Sequence, residues 1–179
     1  MILLPKRIDT PRLILRPYRR SDLPHLPALI GDWEVARWLA RSPYPYTDKD
    51  ARDWLWLSRR VRWLRRGLPL AIVRADDQRL IGGIGIGFSD GEIGYWLGHD
   101  YWGQGYATEA VARLTSFGLG EYGLPSLWAA ILPENRASGR VLEKVGFHYA
   151  GKLDYRMRDG ITEALLYRLS RDEWKKVHG

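Results

Sequence analysis

The chain has 179 residues, 45% hydrophobic and 27% charged, with no cysteine and a formal net charge of +7. That length and composition suit one globular domain with a sizeable core, residues 1–179, and the charge favours acidic ligands such as phosphates, carboxylates or nucleic acid. The lack of cysteine excludes disulfides, thiolate metal sites and a Cys nucleophile, and fits a reducing compartment.

No apolar stretch approaches the ~20 residues of a membrane span. Met1 to Arg7 is too short for a signal peptide and lacks a small-residue cleavage site. A cytoplasmic location is therefore expected. Arg12 to Pro17 alternates and ends at a proline, which predicts a strand. Ser21-Asp22 then reads as the cap of a helix with Leu23, Leu26 and Ile30 on one face. A shorter helix is predicted through Trp33, Val35, Ala36, Trp38 and Leu39. The loop Ser42-Pro43-Tyr44-Pro45-Tyr46 follows.

Thr47 caps a long predicted helix reaching Gly67. One face carries Trp54, Leu57, Val61 and Leu64, and the other Arg59, Arg62 and Arg66. Strands are predicted at Leu70 to Arg74, Leu80 to Ile86 and Glu92 to Leu97. The turns at Asp76-Asp77 and Asp90-Gly91 are short, so these strands should be antiparallel. The glycines in Gly82-Gly83-Ile84-Gly85-Ile86-Gly87 serve strand bends and close backbone contacts.

The strand-like Ile93 to Leu97 leads into Tyr101-Trp102-Gly103-Gln104-Gly105-Tyr106-Ala107-Thr108-Glu109-Ala110, which opens a helix. Strand, glycine-spaced turn and helix together aim unpartnered N–H groups at an anion. Gly103 and Gly105 let backbone approach a ligand closely. The expected ligand is a pyrophosphate. No P-loop string exists, and the dinucleotide fingerprint fails because its last position is Thr108. Glu121 falls near the distance of that fingerprint's acidic residue, but Gly120-Glu121-Tyr122-Gly123 reads as a turn.

A strand from Ser126 to Leu132 is predicted next, then a helix from Arg136 to Val145. Two final strands lie near Tyr149 to Leu153 and Thr162 to Leu169, joined by Arg158-Asp159-Gly160. Asn135 is placed as an N-cap with Ser138 at N3. The same pair also suits recognition of an amide- or thiol-bearing ligand. The element order is α+β, a mostly antiparallel sheet with helices on both sides.

Together these segments resemble the GNAT superfamily of acyl-CoA-dependent N-acetyltransferases, in the branch of the ribosomal-protein N-terminal acetyltransferases. The resemblance rests on Thr10-Pro11-Arg12-Leu13-Ile14-Leu15-Arg16, Glu92 to Leu97, Tyr101 to Ala110, and Asn135-x-x-Ser138 with Leu142-Glu143-Lys144-Val145-Gly146-Phe147. It implies two splayed parallel strands forming an acyl-CoA cleft within the mostly antiparallel sheet. It also implies acetyl-CoA as co-substrate. The superfamily's signature usually opens with Gln or Arg, where Trp102 stands here; Gly105 and Ala107 hold its later places.

By that resemblance, the main chain of Gly103, Gln104, Gly105, Tyr106, Ala107 and Thr108 holds the pyrophosphate. The main chain of Tyr95, Trp96 and Leu97 pairs with the pantetheine arm, and Asn135 contacts pantetheine or the carbonyl region. The reaction implied is direct attack of a neutral amine on the thioester. Ser138 is the general-acid candidate, because Leu142 stands where many relatives carry a Tyr. Glu92 is the base candidate, against the alternative of a strand-edge glutamate, with Asp154 and Tyr155 in reserve. No metal site is read.

The acceptor is expected to be a primary amine. With no acidic cluster before Gly67 and many Arg and Trp there, an acidic peptide or protein N-terminus is favoured over an aminoglycoside, polyamine or amino acid. The alternative reading of Arg59, Arg62 and Arg66 is a solvated face. A non-catalytic acyl-CoA-binding module and a nucleic-acid-binding module are the rival classes, nucleic acid being disfavoured. A monomer or homodimer with no membrane contact is expected.

Overall fold

The computed structural model describes residues 3–178; Met1, Ile2 and Gly179, at the ends of the expected domain range and signal-peptide reading, lie outside the described residues. A five-stranded antiparallel sheet runs in sequence order: β1 (Ile8–Asp9), β2 (Leu13–Arg16), β3 (Leu70–Arg74), β4 (Leu80–Ile86) and β5 (Ile93–Leu97). A second sheet orders β6 (Ser126–Ile131), β8 (Gly160–Ser170) and β7 (His148–Met157), also antiparallel. Helices α1 (Leu26–Ile30), α2 (Trp33–Ala36) and α3 (Asp48–Trp63) precede β3. Helix α4 (Tyr106–Thr115) links β5 to β6, α5 (Arg136–Val145) follows β6, and α6 (Arg171–His178) ends the chain.

The first sheet is covered on both faces. Leu13, Leu15, Leu70 and Ile72 pack with Val111, Leu114 and Phe117 of the α4 side. Ile14, Ala71 and Val73 pack on the opposite face with Leu26, Ile30, Ala51 and Leu55. Strand β2 is therefore buried along its whole length, where alternation predicted one wet face. Its last residue, Arg16, is only 8% exposed. Both terminal nitrogens of its guanidinium donate to the carboxylate of buried Asp22 at 2.8 Å. Asp22 also accepts from the Arg19 main chain at 2.7 Å. So Asp22 belongs to a short 3-10 turn, Arg20–Asp22, and is not the cap of the next helix.

The glycine run follows its predicted use. A Cβ on Gly82 would stand 2.2 Å from the Trp96 carbonyl oxygen, and one on Gly83 would stand 2.1 Å from the Tyr18 hydroxyl. Three further expectations are corrected. Helix α3 is capped by Thr47 as predicted, but Ala51, Leu55 and Ser58 are its buried residues, while Leu57 and Leu64 are exposed. Ala51 and Leu55 pack on the sheet, and Trp54, Leu57 and Val61 stand beside a cleft. The segment Ser116–Tyr122 is a π-helix continuing α4, where a turn was read around Gly120. Helix α6 was not predicted; it begins at a Ser170–Glu173 capping pair, its side chains bonded at 2.5 Å. No helix among the described residues is long and apolar enough to cross a membrane.

The Arg16–Asp22 pair should dominate local stability. Asp22→Ala leaves a buried guanidinium without its counter-charge, which costs about 3–5 kcal/mol. Urea unfolding of the variant should show that loss through an earlier midpoint; a cost below 1 kcal/mol would mean water reaches Arg16.

Candidate active site

Strands β5 and β6 run parallel but meet only at Glu92 and Trp128. There the Trp128 N–H donates to the Gly91 carbonyl at 3.0 Å, and its indole to the Asp90 carbonyl at 3.0 Å. Beyond that point the strands part. The Gly98 N–H donates to Ile81 of β4 at 2.9 Å. By strand alternation the main chain of Trp96 is engaged with Gly83 of β4. The main-chain groups of Tyr95 and Leu97 point the other way, into the opening. Of the three residues expected to present main chain there, two do so. The Tyr95 phenol crosses the gap and donates to the Ser138 carbonyl of α5 at 2.9 Å. Burial, first of all, raises its pKa.

The turn after β5 is built to leave donors free. Gly103 and Gly105 have φ of +72° and +80°, and Gly105 is the N-cap of α4. The Trp102 indole donates to the Leu97 carbonyl at 2.9 Å, fastening the turn to the strand end. The Gln104 side-chain amide donates to the Asp100 carbonyl at 2.9 Å. Gln104 thus braces the turn and offers only its N–H. None of the main-chain N–H groups from Gly103 through Thr108 has an acceptor among the described residues. A phosphate oxygen accepts from such groups and sits at the positive end of the helix dipole. The turn therefore fits a pyrophosphate.

Glu92 stands where the strands part, its side chain 18% exposed. One carboxylate oxygen accepts from the Tyr155 hydroxyl of β7, and the other from Arg41 at 3.0 Å. Burial first, then donation to Glu92, pushes Tyr155 up to about 12. The phenol stays protonated throughout the neutral range. Asp154 is exposed and faces Glu163 across the hairpin, away from the cleft.

Asn135 caps α5 through its side-chain oxygen, which accepts from the Ser138 N–H at 3.2 Å. The Ser138 hydroxyl takes no part in that cap. Leu142, in place of the absent Tyr, is fully buried at 0% exposure.

One cleft of about 1330 Å³ joins these parts. It is lined by Glu92 to Leu97, Gly103, Gly105 to Thr108, Asn135 to Ser138, and Tyr155. Gln104 and Asp154 do not line it. Its far end is walled by Trp38, Tyr46, Trp54 and Leu57, with Arg37, Arg41 and Arg66.

Asp50 and Asp53 also line the cleft, where no acidic cluster was expected. Both have partners: Asp50 completes the Thr47 capping box, and Asp53 pairs with Lys49 at 2.5 Å. Of the three arginines on α3 and just beyond it, Arg66 reaches the cleft. Arg62 instead donates to the Leu4 and Pro5 carbonyls at 3.1 and 2.5 Å. Arg41 and the Tyr155 contact were missed as partners of Glu92. Neither has a sequence signal, since both come from distant segments.

The model of the acetyltransferase (GNAT) domain family matches residues 12–148. The chain is similar to an uncharacterized N-acetyltransferase, p20, of Bacillus licheniformis, 30% identical over 92% of this chain and 96% of that protein. It is also similar to the solved structure of Mycobacterium smegmatis RimJ in complex with CoA-disulfide. That match has a TM-score of 0.80 and 23% identity, over 90% of this chain and 83% of the other. The ribosomal-protein-S5-alanine acetyltransferase of Vibrio fischeri matches with a TM-score of 0.80 and 19% identity, over 94% and 98%.

Gly105→Val tests the turn. Valine disfavours positive φ, and its Cβ would stand 3.2 Å from the Arg12 guanidinium. The turn must shift, and loss of a charge-assisted hydrogen bond costs roughly 1.5–3 kcal/mol. CoA affinity measured by calorimetry should fall at least tenfold with the circular dichroism spectrum retained. Unchanged affinity in the folded variant would place the phosphates elsewhere.

Proposed function

The chain belongs to the GNAT acetyltransferase family, an acyltransferase using acetyl-CoA, and on that premise we propose that it acetylates the α-amino group of a peptide or protein N-terminus. Residues 1–179 act as one N-acetyltransferase domain in this reading. The observation that carries it is a single cleft with a phosphate-fitting turn at one end and a tethered carboxylate, Glu92, at the other.

Acetyl-CoA supplies the activated acetyl group. The N–H groups of Gly103 through Thr108 hold its pyrophosphate. The free edge of β5 at Tyr95 and Leu97 pairs with the pantetheine arm, Trp96 walls it, and Asn135 contacts it from α5. The Leu97 N–H faces the developing oxyanion.

Glu92 accepts the proton that the ammonium loses before its nitrogen attacks, directly or through one water. An α-amino group has a pKa of about 8, so this demand is modest near neutral pH. Tyr155 and Arg41 fix the position of the carboxylate. As the tetrahedral adduct collapses and its C–S bond breaks, the second proton of the nitrogen passes to the departing sulfur through the Ser138 hydroxyl, which gives one proton and takes another; that hydroxyl is not committed to the helix cap.

Arg37, Arg41 and Arg66 beside Trp38, Tyr46 and Trp54 favour an acidic peptide at the acceptor end. A small polyamine is the second reading, supported by Asp50 and Asp53 on the same wall. Free-thiol release from acetyl-CoA should be faster with an acidic N-terminal peptide than with spermidine. The reverse order would reassign the acceptor. Binding of acetyl-CoA with no turnover of any amine would make the chain a sensor.

Two variants separate the side chains. Glu92→Gln should lower kcat about a hundredfold and flatten the acid limb of the pH–rate profile. Ser138→Ala should leave the melting temperature unchanged and lower kcat with KM for acetyl-CoA preserved. Wild-type kcat would leave Ser138 a wall residue.

A further inference from the structure

Arg12 and Glu109 lie 97 positions apart and meet at the back of the phosphate-fitting turn. The Arg12 Nε donates to one Glu109 carboxylate oxygen at 2.7 Å, and its main-chain N–H to the other at 2.8 Å. The Thr10 hydroxyl donates to that second oxygen at 2.6 Å. The guanidinium lies over the Tyr106 ring, 4.6 Å from its centre. Its Nη1 donates to the Gln104 carbonyl at 2.9 Å. Arg12 does not line the cleft.

We propose that Arg12 is a positioning residue for acetyl-CoA, aiming the Gly105 N–H into the cleft by holding the carbonyl of the same peptide unit from behind. In a trans peptide the C=O and the following N–H point in opposite directions. A guanidinium fixed on the Gln104 oxygen therefore turns the Gly105 N–H away from itself, toward the cleft that Gly105 lines. A cationic donor on that oxygen also polarises the peptide and strengthens its N–H.

The same fork neutralises Glu109, whose carboxylate in the first turn of α4 would otherwise oppose an incoming phosphate. Several bonds to Glu109, with the Arg12 guanidinium among them, outweigh burial and hold its pKa below the usual carboxylate value. Trp102 leaves the turn without a cationic or amide side chain at that place. Arg12 supplies the missing electrostatics from outside the cleft. The planar fork serves both acceptors at once, which one ammonium cannot do.

The inference rests on the phosphate reading of the turn, and the experiment separates the two. CoA binding is measured by calorimetry for wild type, Gly105→Val, Arg12→Met, and Arg12→Met with Glu109→Gln. Melting temperature and steady-state kinetics are recorded alongside. Met keeps the stem over Tyr106 and removes the donors.

Arg12→Met should raise the CoA Kd and the KM for acetyl-CoA about tenfold, with kcat at saturation within twofold. The double variant restores local charge balance but not the aim, so it should remain at least threefold weaker than wild type. Wild-type affinity in Arg12→Met, or full recovery in the double variant, would overturn the proposal. If Gly105→Val also binds CoA normally, the phosphate reading fails with it. Should Arg12→Met not fold, Arg12→Lys carries the test. A lysine engaged by Glu109 releases Gln104, so affinity should fall at least twofold, and wild-type affinity would overturn the proposal.

Discussion

The interrupted pairing of β5 and β6 is the constraint on which the rest of this molecule depends. Each strand has a full antiparallel partner on its other side, β4 for one and β8 for the other. Paired strands lie about 4.8 Å apart. The Tyr95 phenol is bonded to the Ser138 carbonyl in the first turn of α5, the helix that follows β6. An unpaired buried main-chain group costs about 1–3 kcal/mol unless something satisfies it. Here the free main-chain groups of Tyr95 and the N–H of Leu97, whose carbonyl is taken by Trp102, open onto a cleft where water or a ligand can reach them. The same cleft receives the free donors of α4.

In the proposed reaction the chemistry is divided between two kinds of support. Main chain dominates at the cofactor end, and its geometry is held by residues behind the wall: Trp102 on Leu97, Gln104 on Asp100, Arg12 on Gln104. Side chains dominate at the acceptor end, where Glu92 is held by Tyr155 and Arg41 from opposite sides of the chain. The first arrangement suits a ligand with a constant anionic handle. The second suits a wall whose aromatic and basic residues set which amine can enter.

Much of this was legible in the sequence. Apolar runs joined by short turns marked β3, β4 and β5, glycine spacing marked the turn before α4, and Asn135 marked the start of α5. What periodicity could not separate was core from cleft wall. Trp54, Leu57 and Val61 have the spacing of a buried stripe, yet they line the cleft, while Ala51, Leu55 and Ser58 meet the sheet. Nor did the alternation of β2 reveal that both its faces are covered, or that Arg16 turns inward to Asp22. The π-helix was hidden by its glycines. Gly120 and Gly123 read as turn residues, but Gly120 admits Trp174 at close range, as Gly118 admits Ile86. Glu92 was singled out as a candidate, and its partners were not, because pairing across 51 and 63 positions leaves no local mark.

The central claim is that unpaired main-chain donors, more than side chains, receive the cofactor. Amide hydrogen exchange by NMR, with and without CoA, addresses it residue by residue. Slowed exchange confined to Gly103 through Thr108 and to Tyr95 and Leu97 is the result this account predicts. Unchanged exchange at those amides in a CoA-saturated protein, with protection arising elsewhere, would contradict it.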